Sequence, residues 1–206
     1  MTIEEPRERP HRIRITGLQE AQLPELREVD RSAAAMYHEA GFDGAEVPIR
    51  SVADLVALTR DHEVLVAEAD GVVAGYLAWR DEAPGVAYLE ELSVGTGFQR
   101  LGVATALIDE LCRHARAVEV GTADGPRGLE HVVARCWRRA TWARKFYERY
   151  GFHELEPGAP DDVRGWYEDR AAIGRPVTRP GEVVLWASTR RPEPPGDADE
   201  SEADEG

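Results

Sequence analysis

The sequence has no asparagine and a single lysine, Lys145, against 24 arginines in 206 residues. That skew, with abundant Ala, Gly, Glu and Asp, reads as the codon bias of a GC-rich genome and carries no functional signal. Cysteine is nearly absent. Cys112 and Cys136 stand in no metal-ligand spacing such as C-x-x-C, and both fall in apolar segments. A disulfide scaffold or a cysteine-built metal centre is therefore disfavoured, no metal is expected, and both thiols should be buried. Long apolar runs are missing too, none reaching the ~18 residues of a membrane span. The polar N-terminus, MTIEEPRERPHR, has none of the apolar stretch of a secretion signal, so a cytoplasmic protein with no membrane partner is expected. Net positive charge is also lacking. At −14, with no arginine-rich stripe flanked by aromatics, the surface would repel a nucleic-acid duplex.

The charge is unevenly placed. Residues 192–206, PEPPGDADESEADEG, hold seven acids and no base, half of the net charge. With almost nothing apolar to bury, this tail should be disordered. A flexible segment over 1–11, one domain over 12–191 and the tail over 192–206 are the expected divisions, because the length supports one substantial core.

Apolar periodicity orders the elements. A strand at 12–18 alternates Ile13 and Ile15 with arginines. A helix over 23–41 puts Leu23, Leu26, Val29, Ala33 and Met36 on one stripe, and a second helix begins at Ser51. EVLVAEA and VVAGYLAWR are strands joined by Asp70-Gly71, a hairpin signal, and VAYLEELSV follows at hairpin distance. From Gly102 the period becomes helical, with Val103, Leu107, Leu111 and Ala115 in a row. EHVVARCW reads as a strand, TWARKFYERY as a helix ended by Gly151, GFHEL as a strand, DDVRGWYEDRAAIG as a helix, and EVVLWAS as the last strand. The expected class is α/β: a mixed, mostly antiparallel sheet with helices on both faces.

The stretch SVGTGFQRLGVATALIDEL, residues 93–111, runs from a strand through glycines into a helix whose first turn carries no acid. Gly95 and Gly97 suggest the dinucleotide fingerprint G-x-G-x-x-G, but Arg100 occupies the third glycine position and the strand belongs to a meander. Gly97 and Gly102 have P-loop spacing, yet Val103 stands where the lysine must be. What remains is a pyrophosphate loop without metal or lysine, in which the free N–H groups of the first helical turn and its dipole receive the anion.

Gln99 to Ala104, QRLGVA, resembles the [Q/R]-x-x-G-x-[G/A] signature of the GNAT superfamily of acyl-CoA-dependent N-acyltransferases. YLEELSV just upstream looks like that fold's fourth strand. ARKFYERYGF at 143–152 is similar to its late helix and turn, A-x-x-[FL]-Y-x-x-x-G-F. The resemblance extends over about residues 12–190 and implies a GNAT-like acyltransferase fold.

By that resemblance, the backbone of Leu92, Ser93 and Val94 pairs with the pantetheine arm of acetyl-CoA in a gap between splayed strands. The turn Gln99, Arg100, Leu101, Gly102, Val103, Ala104 and Thr105 holds the pyrophosphate, with Arg100 and Thr105 adding side-chain contacts. The chemistry needs a base for the amine and an acid for the departing thiol. Glu90 is the first choice for the base, with Glu91 on the opposite face unless a bulge re-aims it. Tyr147 is matched to the thiol's proton donor, and Tyr150 to packing. Ala140 stands where many members carry a cofactor-contacting Asn. Tyr37, His38, Trp79, Trp166, Tyr167 and Glu168 are candidates for the acceptor pocket. Neither cysteine lies in the catalytic region that the match defines, which argues against a covalent intermediate.

The resemblance thus implies an N-acetyltransferase with acetyl-CoA as donor and the primary amine of a small molecule or peptide as acceptor, and a homodimer is compatible with it. Two other functions fit parts of the sequence: a non-catalytic acyl-CoA-binding regulator on the same fold, and an interaction protein working through the acidic tail.

Overall fold

A computed structural model describes residues 12–118, 120–122, 125–173 and 177–190. The segments 1–11 and 192–206, the expected flexible arm and tail, lie outside them.

Strands β1 (Ile13–Gly17), β2 (Glu63–Ala69), β3 (Val72–Ala83) and β4 (Val86–Val94) form an antiparallel meander, with helices α1 (Leu23–Glu39) and α2 (Val52–Asp61) inserted after β1. Asp70 and Gly71 both take positive φ, 51° and 84°, the backbone of the two-residue turn that joins β2 to β3. Helix α3 (Val103–Ala117) leads to a short hairpin, β5 (Val120–Thr122) with β6 (Gly125–Arg127). The periodicity of the sequence gives no sign of this hairpin. Then come β7 (His131–Trp137), α4 (Thr141–Tyr150), β8 (His153–Glu154), α5 (Asp161–Ala172) and β9 (Glu182–Ser188). The order across the seven-stranded sheet is β1-β2-β3-β4-β7-β9-β8, antiparallel except where β4 meets β7.

The alternation of side chains along the strands sorts the core into two faces. On one, α3 and α4 cover Leu65, Leu77, Trp79, Ala87 and Leu89 with Val103, Leu107, Leu111 and Tyr147. On the other, α1 and α2 cover Val64, Val66, Tyr76 and Ala78, and α5 covers Val86, Tyr88 and Val184 with Val163 and Trp166. The expected mixed sheet with helices on both faces is present. Gly75 permits this packing at a critical point. A Cβ there would lie 2.8 Å from the Ser93 carbonyl oxygen and 3.1 Å from Val103, where the start of α3 presses on the sheet.

Two irregularities interrupt the sheet around β4. The parallel pairing of β4 with β7 ends at Leu89↔Ala134, so among the described residues the β7-facing edge of β4 has no ladder partner from Glu90 to Val94. Opposite, β3 pairs Ala78 with Glu91 and Trp79 with Leu89, leaving Glu90 as the extra residue of a β-bulge.

Candidate active site

The splay between β4 and β7 opens into a cleft of about 1230 Å³, walled by α1, the α1–α2 loop, the 98–105 turn and α4. One end is the start of α3. Its N-cap, Gly102, sits at φ +87° with no side-chain cap, and the first turn has no acidic residue. The first N–H groups of a helix lack intrahelical partners and carry the positive end of the dipole, so this end suits an anion. Arg100 adopts φ +63°, uncommon for a residue with a Cβ, and lines the cleft with Lys145 and Arg149 of α4. Gln99, Gly102, Val103, Ala104 and Thr105 line it as well, as do Leu92, Ser93 and Val94 along the unpaired edge. Leu101 instead packs against the core.

The bulge decides the direction of the two glutamates. Simple alternation sets Glu90 on the face of Leu92 and Val94 and Glu91 on the other. The extra residue turns both carboxylates to the α1–α2 face, while Leu92 and Val94 pack on the α3 side. Glu91 receives Arg50 Nη2 at 2.6 Å and the Ser93 hydroxyl at 2.8 Å, so both its oxygens are engaged. Glu90 Oε1 accepts from Arg135 Nη2 at 3.0 Å. Its other oxygen lies 3.9 Å from His62 Nε2, beyond hydrogen-bond distance, a contact that is ionic only when the imidazole is protonated. Burial holds the His62 pKa below its usual value, its Nδ1 faces the Leu58 carbonyl at 3.1 Å, and its Nε2 accepts from Arg80 at 2.6 Å.

Behind Glu91 stands a buried polar chain that the sequence barely signals. Asp30, on the apolar stripe of α1, is 4% exposed. It accepts from the Tyr76 hydroxyl at 2.8 Å, from the Arg50 backbone N–H at 2.7 Å and from Arg50 Nη1 at 3.3 Å. An acid on a buried stripe was the available clue; Arg50, in a loop, offered none. Asp30→Asn should lower unfolding free energy by about 3 kcal/mol, the low end for breaking a buried charge pair because Arg50 is partly exposed. Urea denaturation measures it, and an unchanged midpoint at unchanged m-value would refute the network's structural weight.

Tyr147 is 8% exposed, its ring 5.0 Å from Phe152 and 5.4 Å from Phe146, and it lines the cleft. Burial, with Cys136, Tyr37 and Glu91 nearby, pushes its pKa well above 10, so the phenol stays protonated at neutral pH. Tyr150 bonds Asp109 at 2.6 Å, tying α4 to α3. Cys136 corrects an expectation: it lines the cleft. Burial raises its thiol to about 12, so what argues against nucleophilic attack is its protonation, not its position.

Of the acceptor candidates, only Tyr37 faces the cleft. His38 is exposed and bonds the Val47 carbonyl at 2.9 Å. Trp79 and Trp166 are 1% and 3% exposed, filling the core on opposite faces. Tyr167 and Glu168 line a separate groove beside β8 and β9. Apolar periodicity cannot separate a core aromatic from a cleft aromatic. It therefore missed Trp137 and Trp142, which line the cleft, and Phe42, which backs them.

Residues 60–154 match a family model described as an acetyltransferase (GNAT) domain. No curated protein matches the chain significantly in sequence. Among solved structures, the fold is shared with the PaiA N-acetyltransferase of Thermoplasma acidophilum in complex with coenzyme A, at TM-score 0.65 and 16% identity over 86% of this chain and 99% of that one. The ribosomal-protein-S18-alanine N-acetyltransferase of Escherichia coli gives 0.55 and 16%, over 86% and 94%. N-acetylglutamate synthase of Neisseria gonorrhoeae, complexed with coenzyme A and N-acetyl-glutamate, gives 0.55 and 18%, over 87% of this chain and 35% of that one. The match places an acetyltransferase (GNAT) domain on residues 60–154, and the solved structures share the fold of the chain around it.

Proposed function

We propose that this protein transfers an acetyl group from acetyl-CoA directly to the primary amine of a small molecule or peptide, within a ternary complex. The observation that carries the reading is the unpaired edge of β4 from Glu90 to Val94, leading to the bare start of α3 with Tyr147 beside it. The pantetheine amides would pair with the Leu92–Val94 backbone as an added strand. The diphosphate would rest on the N–H groups of Gly102 to Thr105, with Arg100 at its side. The complexes of two neighbours with coenzyme A support this donor.

Glu90 is the base, acting directly or through one water. Glu91 has both oxygens engaged by Arg50 and Ser93, whereas Glu90 keeps one free of any hydrogen bond among the described residues. With a proton removed from the ammonium, the amine nitrogen attacks the thioester carbonyl carbon. The C–N bond forms, the C–S bond breaks, Tyr147 supplies a proton to the departing thiolate, and the second proton shed by the nitrogen passes through solvent to restore the phenol. The protonated Cys136 thiol supports direct transfer over an acyl-enzyme route.

Incubating the protein with acetyl-CoA and a panel of amines should release free thiol only when a competent amine is present. Thiol release that ignores every amine, or no acetyl-CoA binding at all, would overturn the reading. Glu90→Gln should flatten the acidic limb of the pH–rate profile and lower kcat by about 10²-fold or more. A profile identical to that of the native protein would move the base to Glu91.

A further inference from the structure

The α1–α2 loop side of the cleft has a charge pattern that distinguishes among amines. Each carboxylate there already has a guanidinium partner: Asp30 and Glu91 share Arg50, Glu90 and Glu182 share Arg135, the latter at 3.8 Å, and Glu46 holds Arg139 at 2.5 Å. Glu46 also accepts from the Asp43 N–H at 2.9 Å, and Glu182 from the Arg179 N–H at 2.8 Å. Arg179, exposed at the rim, donates to the Glu46 carbonyl. A second ammonium on the acceptor would find no uncommitted carboxylate on this side among the described residues. A carboxylate on the acceptor would meet Arg50 and Arg135, each held between two acids.

The surface between these pairs is apolar. Tyr37, Val47, Pro48, Trp137 and Trp142 line the cleft, with Tyr37 and Trp142 meeting edge to face at 5.2 Å from helices on either side. Phe42 stiffens this wall from behind, 5.2 Å from Tyr37 and 5.6 Å from Trp137, with Arg139 stacked 3.8 Å above it. Rigid aromatic walls bind apolar bodies through buried area and ring geometry, and each displaced apolar surface adds to affinity.

Resting on the transferase reading above, we infer that the acceptor is a monoamine with an apolar, aromatic-sized body, an arylalkylamine rather than a polyamine or a free amino acid. The single ammonium is met by the Glu90 oxygen that Arg135 leaves free, and the ring lies against Trp137 and Tyr37.

The test compares kcat/KM at saturating acetyl-CoA for phenethylamine and tryptamine against putrescine, spermidine and a set of free amino acids. The arylalkylamines should lead by at least about tenfold. Trp137→Ala should raise KM for tryptamine by about tenfold and leave KM for acetyl-CoA unchanged. Pro48→Glu, at an exposed loop position, adds a carboxylate without a partner and should shift preference towards putrescine. Turnover led by polyamines, or by amino acids with Arg179 as their clamp, overturns this inference and leaves the transferase reading standing. No thiol release with any amine overturns the transferase reading and this inference with it.

Discussion

Ala104→Glu should weaken acetyl-CoA binding about a thousandfold while leaving the fold as stable as the native chain. Ala104 is the second residue of α3, half-buried and lining the cleft where the free N–H groups point. A carboxylate there stands about 4 Å from a bound phosphate. At the effective dielectric of a protein surface this costs about 4 kcal/mol, and each 1.4 kcal/mol is tenfold in Kd. The same charge favours the helix itself, because an acid in the first turn complements the dipole by about 0.3–1 kcal/mol. Loss of binding with an unchanged or raised Tm therefore isolates the phosphate site. Gly102 would be a less clean position: at φ +87° any side chain brings backbone strain as well as bulk. Isothermal titration with acetyl-CoA measures the effect, and native affinity in the variant would refute the site.

Tyr147→Phe should lower kcat by about 10²- to 10⁴-fold, the range for losing a positioned acid, with KM for acetyl-CoA near its native value. The phenylalanine keeps the ring contacts to Phe146 and Phe152, so α4 stays docked. The sign of the pH effect follows from burial, which raises the phenol well above 10. The group is then fully protonated throughout the working range, and its removal should depress the whole pH–rate profile without moving either limb. A variant that loses only the alkaline limb would point to tyrosinate acting as a base. Full activity would remove Tyr147 from the chemistry.

Much of the frame was legible because its signals are local. Asp70-Gly71 marks a turn whose two positive φ values few other dipeptides accept, and the lack of acids in the first turn of α3 is readable in the sequence as it stands in the structure. The capping box at Ser51 and Asp54 starts α2 where the sequence indicates, with the serine hydroxyl accepting from the Asp54 N–H at 3.2 Å. The aromatic residues were harder to place. Trp79 and Trp137 look alike in sequence, both ending apolar strands. Trp79 is sealed beneath α3, whereas β7 carries Trp137, still paired with β9, past its last residue paired with β4 and into the splay.

The amino-acid sequence by itself determined the order of the main elements, the β5–β6 hairpin apart, and the glycine turn that leads into α3, because periodicity, turn chemistry and short motifs act within a few residues. Only the tertiary structure decided how the side chains of the cleft are aimed. A one-residue bulge against β3 turns Glu90 and Glu91 to the same face, since the side-chain period of a strand is two and a single insertion reverses it. The links from Asp30 through Arg50 to Glu91, and from Glu90 through Arg135 to Glu182, join residues 20 to 47 positions apart in the chain. Such pairings depend on sheet order and helix docking, which no local pattern encodes.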